Sequence, residues 1–240
     1  MFLYHGRNNM KAYVIRLKNI QPSESLADQC VESGKIHSLV IDKFDGIYGQ
    51  DAIEYYKNFF DIKPWKEKIK KGRLGVHGCL LSHYSLWLKS IELNESLIIF
   101  EHDAMVLQKI PNNLEERFDE FLLLDPYNKF NGSYYLDHQN SFNCKQKIIE
   151  YSNPASRKKY SITAEYAMGL QGYIIKPKAA KKLCKAIKQN NYFPADMQCN
   201  KDIINLQTVN SPLVSINKKY YNNMSLMKLE SSTQYNWVQK

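Results

Sequence analysis

Residues 72–106 constrain the fold more tightly than any other stretch. They run Gly72-Arg73-Leu74-Gly75-Val76-His77-Gly78-Cys79, then Leu80 through Ile91, then Leu97-Ile98-Ile99-Phe100-Glu101-His102-Asp103-Ala104. Val76, Leu80, Tyr84, Trp87, Leu88 and Ile91 recur at spacings of three and four, which predicts a helix with one apolar face. The unbroken apolar run Leu97–Phe100 predicts a strand covered on both faces. The stretch therefore reads as glycine-rich loop, helix, short turn, buried strand and acidic strand end. Glu101 and Asp103 follow at the strand's carboxyl end. If extended geometry persists through them, their side chains point one way and His102 the other. Two carboxylates so aimed can hold a hard divalent cation, Mn2+ or Mg2+, which prefers oxygen ligands. Glu-x-Asp alone is a weak signal, since acids after a strand are usually solvated loop residues.

The chain begins as strand, helix, strand and turn, the opening of a parallel α/β sheet. Lys11–Leu17 reads as a strand rich in aromatic and β-branched residues, broken by Asn19, Gln21 and Pro22. A helix is expected from a cap at Ser23 or Ser25 to a stop at Gly34, then a strand at Ser38–Ile41 and a turn at Asp45-Gly46. Lys18 and Asn19 fall at the first strand's carboxyl end, where α/β sheets bind nucleotides; an ordinary connecting loop is the competing interpretation. Asp51–Phe60 reads as a helix with Ile53, Tyr56, Phe59 and Phe60 on one side. The basic run Lys63–Lys71 can meet a diphosphate or a lipid headgroup, or be a solvated face. Asn113–Phe118 reads as a helical turn and Phe121–Leu124 as a buried strand. Residues 127–159 show no period, as expected of a lid, an acceptor-contacting insertion or a surface excursion. Gly169–Lys176 reads as loop and strand, with Pro177 opening a helix. That helix buries Ala179, Ala180, Leu183, Cys184 and Ile187. Lys178, Lys181, Lys182, Lys185 and Lys188 line its other side, facing solvent or, less simply, a membrane. Leu213–Ile216 is a last short strand, and Tyr220–Lys240 a polar, aromatic tail that can fold over a cleft.

Two groups invite a closer look. Cys79 and His83 can share a helix face at i, i+4, but His77 points elsewhere and no fourth ligand is near in sequence. Zinc is therefore not expected there, and core packing with a local hydrogen bond accounts for both. Asp196 follows Phe193-Pro194-Ala195 and either caps the next helix, which Asp does well, or serves chemistry.

Size and charge narrow the function. A chain of 240 residues buries one sizeable core. Residues 10–240 are expected to form a single domain, and residues 1–9, without periodicity, a disordered leader, a mis-called start or a tag. No apolar run reaches the roughly 18 residues of a spanning helix, and the amino terminus lacks a signal-peptide pattern. Five scattered cysteines read as free thiols in a reducing compartment. Three Asn-x-Ser sequons, at Asn94, Asn131 and Asn223, matter only in a secreted chain. The formal charge of +9 favours an acidic partner: nucleotide phosphate, nucleic acid or an anionic membrane. No nucleic-acid-binding motif accompanies it. The expected location is the cytoplasm, with a peripheral seat on the inner face of the cytoplasmic membrane as one extension of the charge argument and a plain basic surface as the other.

Gly75-x-x-Gly78-Cys79-x-x-Ser82-His83-x-x-x-Trp87, then an apolar strand and Glu101-x-Asp103, resembles glycosyltransferase family 25, the lipooligosaccharide galactosyltransferase type. The Ile-x-Leu strand with its Asp45-Gly46 turn, the Gly169 to Tyr173 strand leading into an alanine-containing helix, and Pro194-x-Asp196 extend the resemblance over roughly residues 11–215. There are departures. Val76-His77 replaces Glu-Ile, His102 replaces the middle Asp, Arg16 replaces an Asn in the first strand, and Gln171 stands where a histidine is common. The resemblance implies a GT-A-like, Rossmann-type nucleotide-binding fold with a mostly parallel central sheet flanked by helices. It implies inverting transfer of a sugar, most often galactose from UDP-galactose, onto a lipooligosaccharide or related glycan. On this basis Leu17, Lys18, Asn19, Asp45, Ser82, His83, Gln171 and Tyr173 contact the sugar nucleotide, Glu101 and Asp103 hold the metal, and Asp196 is the catalytic base. A catalytically impaired sugar-nucleotide binder, a basic nucleic-acid-binding domain and another α/β enzyme such as a methyltransferase remain the alternatives.

Overall fold

The computed structural model describes residues 10–58, 74–125, 146–152, 164–189 and 194–217. Residues 1–9, Phe59 and Phe60, the basic run 63–71, most of 127–159 and the tail 220–240 lie outside them, as do the expectations placed there.

The chain runs β1 (Lys11–Arg16), α1 (Gln21–Ile36), β2 (Ile41–Asp45), a 3-10 turn (Gly49–Asp51), α2 (Ala52–Asn58), α3 (Leu74–Leu93), β3 (Leu97–Glu101) and β4 (Ala104–Val106). A second 3-10 turn (Leu114–Arg117), β5 (Phe121–Leu123), β6 (Ile148–Glu150), β7 (Gly172–Ile175), α4 (Pro177–Lys188), α5 (Ala195–Gln198), β8 (Leu206–Val209) and β9 (Val214–Ile216) complete it. Seven strands form one sheet in the order β2-β1-β3-β7-β5-β8-β6; β4 and β9 form a separate ribbon. β1 pairs parallel with β2 and β3, and β5 with β8, whereas β7 and β6 are antiparallel to their neighbours. Five strands thus run one way, and their carboxyl ends share an edge. This mostly parallel sheet, flanked by helices, is compatible with a Rossmann-like fold.

Side-chain alternation along the strands divides the core in two. Ile15, Leu97, Ile99, Phe121, Tyr173 and Ile175 pack against α3 and α4 with Leu80, Leu81, Trp87, Ala179 and Leu183. Ala12, Val14, Ile98, Phe100, Leu122 and Ile174 pack on the other face with Ala27 and Cys30 of α1 and with Ala104 and Val214 of the ribbon.

Several boundaries differ from the sequence expectation. Helix α1 starts at Gln21, not at a Ser23 or Ser25 cap, because Pro22 suits a first helical turn, where no N–H is needed. Ser23 instead accepts the Leu17 N–H at 2.8 Å. Gly34 lies inside α1, where an added Cβ would sit 2.5 Å from Ile41 Cδ1; the helix ends as Leu39 N–H bonds back to Gly34 O, before Ser38 and its neighbours can extend. The second strand therefore begins at Ile41 and continues through polar Asp42 and Lys43, an edge strand without an apolar run. Ile53, assigned to the buried side of α2, is 38% exposed.

The largest correction concerns Gly75–Cys79, which form the first turns of α3 and not a loop. Gly78 lets this helix press on the loop after β2. A Cβ there would lie 2.8 Å from Gly49 N and 3.0 Å from Tyr48 C, and closer still to the Ile47 carbonyl oxygen. Close backbone approach, not a loop conformation, is what these glycines provide. Helix α3 is also buried more widely than one stripe, including His77, Leu81, Ser82, His83 and Leu86.

Candidate active site

The order β2-β1-β3 creates a switch point. The chain leaves β1 by α1 to reach β2 on one side, then by α3, on the opposite face, to reach β3 on the other. In open α/β sheets ligands bind outside the carboxyl ends at such a point. The register places Arg16 opposite Asp45, and Ile15 opposite Glu101, so the ends of β1, β2 and β3 converge there.

On the β1–β2 side the structure brings together Leu17, Lys18, Asn19 and Asp45. Arg16 joins Asp45 at 2.8 Å and also pairs with Glu24 in the first turn of α1. Glu24 accepts the Asn19 N–H at 3.2 Å, with Asn19 held at φ 63°. Lys18 Nζ lies 3.7 Å from Asp45 Oδ2, and Tyr48 donates its hydroxyl to the Lys18 carbonyl. Arg16, which departs from the family pattern, thus links the strand end, the adjacent aspartate and the helix. Ser82 is deeply buried. It donates to Gly78 O at 2.7 Å and accepts from Ile47 N at 2.8 Å, which ties α3 to the loop after β2.

On the β3 side Glu101 continues the alternation that turns Leu97 and Ile99 towards α3, and its Oε1 lies 3.5 Å from His83 Nε2 and 3.9 Å from Cys79 Sγ. Its backbone N–H donates to Gln171 O at 3.1 Å. His83 Nδ1 meets Tyr173 Oη at 2.8 Å, and Trp87 Nε1 donates to the same oxygen at 2.9 Å. Indole N–H only donates, so the Tyr173 proton is free to go to His83 Nδ1, leaving the ring's other N–H facing Glu101. Tyr173 is further fixed by stacking on Phe121 at 4.7 Å.

The strand ends at Glu101, and a two-residue turn, His102-Asp103, leads into β4. The extended geometry assumed for the Glu-x-Asp pair therefore stops at its first member. The carboxylates remain electrostatic neighbours all the same. Burial and the charge of Glu101 push Asp103 up to about 7, against the pull of its own backbone N–H. Among the described residues, Asp103 Oδ1 is buried without a hydrogen-bond partner. Burial also works to raise Glu101, but hydrogen bonding and charge from His83, and then His102, hold it below its usual value. His102 itself is lowered, by burial acting against the attraction of Glu101.

Asp196 sits inside the first turn of α5, which is capped by Pro194, and its Oδ1 accepts the Met197 N–H at 2.9 Å. Its charge is felt at both Cys79 and Cys199, whose thiols are raised well above the usual range by burial first and by the surrounding acids second. Asp196, Cys79, Glu101 and Asp103 thus share one electronegative region. Sequence reasoning missed Arg16, Trp87 and the participation of Cys79. The Cys79/His83 spacing was visible, but the arrival of Glu101 beside them depends on how α3 packs on β3.

A buried carboxylate oxygen with no hydrogen-bond partner among the described residues, in the same electronegative region as Glu101, is a donor type that a hard divalent cation takes, so Glu101 and Asp103 are the residues that could hold one. Fold and site together define an α/β protein with a topological switch point and an acidic strand end. The model of glycosyltransferase family 25 (LPS biosynthesis protein) matches residues 9–199, and the chain belongs to that family. It is accordingly a glycosyltransferase, with a sugar donor and a glycan acceptor as substrates. No curated protein matches it. Among the described residues, no helix is long and apolar enough to cross a membrane.

Proposed function

We propose that the chain moves galactose from UDP-galactose onto a lipooligosaccharide or lipopolysaccharide acceptor, with inversion, on a GT-A-like fold. The observation that carries this reading is Asp103 Oδ1 at the carboxyl edge of the sheet, buried without a hydrogen-bond partner among the described residues and within reach of the charge of Glu101. Glu101 and Asp103 would hold Mn2+ or Mg2+. A bound divalent ion of this kind offsets the negative charge that gathers on a departing diphosphate.

The acceptor hydroxyl oxygen bonds to the anomeric carbon as the carbon–oxygen bond to the diphosphate breaks. UDP leaves with that electron pair, and the hydroxyl proton passes to the Asp196 carboxylate. The Leu17–Asn19 loop, fixed by Arg16, Glu24 and Tyr48, presents backbone and the Lys18 ammonium to the nucleotide. The Trp87–Tyr173–His83 chain steadies Glu101 from behind. The exposed lysines of α4 support a peripheral seat on the inner face of the cytoplasmic membrane, at about 1 kcal/mol per Lys near an anionic surface. Two of them, Lys178 and Lys182, also hold the buried Glu120, at 3.0 and 2.7 Å.

The test is a thermal-shift screen of UDP, GDP and CMP sugars with and without Mn2+, followed by transfer assays with the donor that stabilises. Selective, Mn2+-dependent stabilisation by UDP-galactose is expected. Equal UDP affinity with and without EDTA would remove the metal from the proposal, and selective stabilisation by a GDP or CMP sugar would replace the donor.

A further inference from the structure

We propose that Cys79, His83 and Glu101 form a second kind of metal site, one that takes a thiophilic ion of the zinc class. Their donor atoms all lie within 4.8 Å of one another. The separations from Glu101 Oε1 are 3.5 Å to His83 Nε2 and 3.9 Å to Cys79 Sγ. Zinc bonds of about 2.0–2.3 Å imply donor-to-donor edges of about 3.3–3.8 Å in a tetrahedron, so the two Glu101 edges already have nearly that length and the remaining one needs to close by about 1 Å at most. A second, independent observation points the same way. His83 is 1% exposed, and among the described residues its Nε2 faces this gap with no hydrogen-bonding contact shorter than the long 3.5 Å approach to Glu101 Oε1.

The supporting groups are already in place. A metal-bound imidazole usually donates its other ring N–H to a fixed acceptor. Tyr173 Oη stands 2.8 Å from Nδ1 and has two lone pairs, enough for Trp87 and His83 together. On binding, the Cys79 thiol passes its proton to solvent, the His83 ring proton moves from Nε2 to Nδ1, and the Tyr173 hydroxyl turns from donor to acceptor towards that ring. Cys79 and Glu101 are only partly buried, which leaves an entry path and an open fourth position. The surrounding carboxylates of Asp103 and Asp196 favour a cation here. Thiolate and imidazole ligands select zinc-class ions, whereas oxygen donors alone favour Mn2+ and Mg2+. Because Glu101 belongs to both donor sets, a thiophilic ion competes with the hard-ion use of Glu101 proposed above, although binding at Cys79 and His83 does not depend on that use.

The test uses the full chain, stripped with EDTA and titrated with Co2+. One ion per chain is expected, with a thiolate-to-cobalt charge-transfer band in the near ultraviolet and visible bands of a four-coordinate ion, both bleached by Zn2+. Cys79→Ser should remove the near-ultraviolet band, and His83→Gln should weaken binding at least tenfold. Asp103→Asn should keep the band while losing Mn2+-dependent UDP binding. Zn2+ should weaken Mn2+-dependent UDP binding by the wild type and not by Cys79→Ser. No band in the wild-type titration, which needs no variant to fold, overturns the proposal, and so does a band that survives Cys79→Ser. If the band appears but Mn2+ never affects UDP binding, this site stands and the hard-ion proposal fails.

Discussion

Replacing Asp103 by Asn should make the metal-free protein more stable at neutral pH while abolishing its use of Mn2+. Asp103 is raised from 3.8 to about 7 by burial and by Glu101. The folded state therefore holds this proton more tightly than the unfolded state does. Between about pH 4 and 7 the unfolded chain releases the proton first, so stability falls as pH rises and levels off above about 7. At 1.36 kcal/mol per pKa unit, a shift of about 3 units is worth at most about 4 kcal/mol, and about half that if water screens the partly exposed carboxyl. Asp103→Asn removes the burial cost of the charge and the repulsion from Glu101. Its gain over the wild type should thus be near zero at pH 4 and about 2–4 kcal/mol at pH 7.5, or roughly 4–16 °C in Tm for a domain of this size. Urea unfolding of both proteins in EDTA, followed by far-ultraviolet circular dichroism across that range, measures the difference. Saturating Mn2+ should stabilise the wild type and leave the variant unmoved. A variant less stable than the wild type at pH 7.5 in EDTA, or a difference independent of pH, refutes the reasoning.

Asp196→Asn should lower kcat about 10²- to 10⁴-fold with the UDP-sugar Kd unchanged, as measured by transfer kinetics and calorimetry; a loss within a few fold would assign the base elsewhere. Gly78→Ala should destabilise the fold by about 1–3 kcal/mol in urea unfolding, although Ala favours a helix by about 1 kcal/mol, because the new Cβ meets backbone at Gly49 and Tyr48 that cannot swing away. A stabilised variant would show that this contact yields easily. Burial pushes Cys30 and Cys184 up to about 12. Their contribution to stability is complete below about pH 9 and is lost as pH rises towards 12, by about 3 kcal/mol per thiol at pH 11. The unfolding midpoint should fall over that range, and Cys30→Ala should make the fall shallower.

Periodicity and apolar runs determined where the chain buries itself. Leu97–Phe100, Phe121–Leu123, the α3 stripe and the Pro177-led helix are legible because alternation and 3.6-residue spacing are local properties. Edge strand β2 was expected a few residues too early, at Ser38–Ile41, and short β8 was not legible, since a few polar or mixed residues become a strand only when a neighbour supplies the ladder. The glycines of Gly75–Cys79 suggested a loop because composition cannot reveal that backbone from residues 47–49 presses on the helix. The acids of the candidate site were visible as types and spacing. Their grouping was not: Glu101 reaches Cys79 and His83 only because α3 covers that face of β3, and Asp103 affects Glu101 across a turn and not along an extended strand. Sequence therefore determined the layers and the chemical inventory. Tertiary packing decided which charges share a low-dielectric space, and that proximity is what gives carboxylate, thiol and imidazole groups their affinity for a cation.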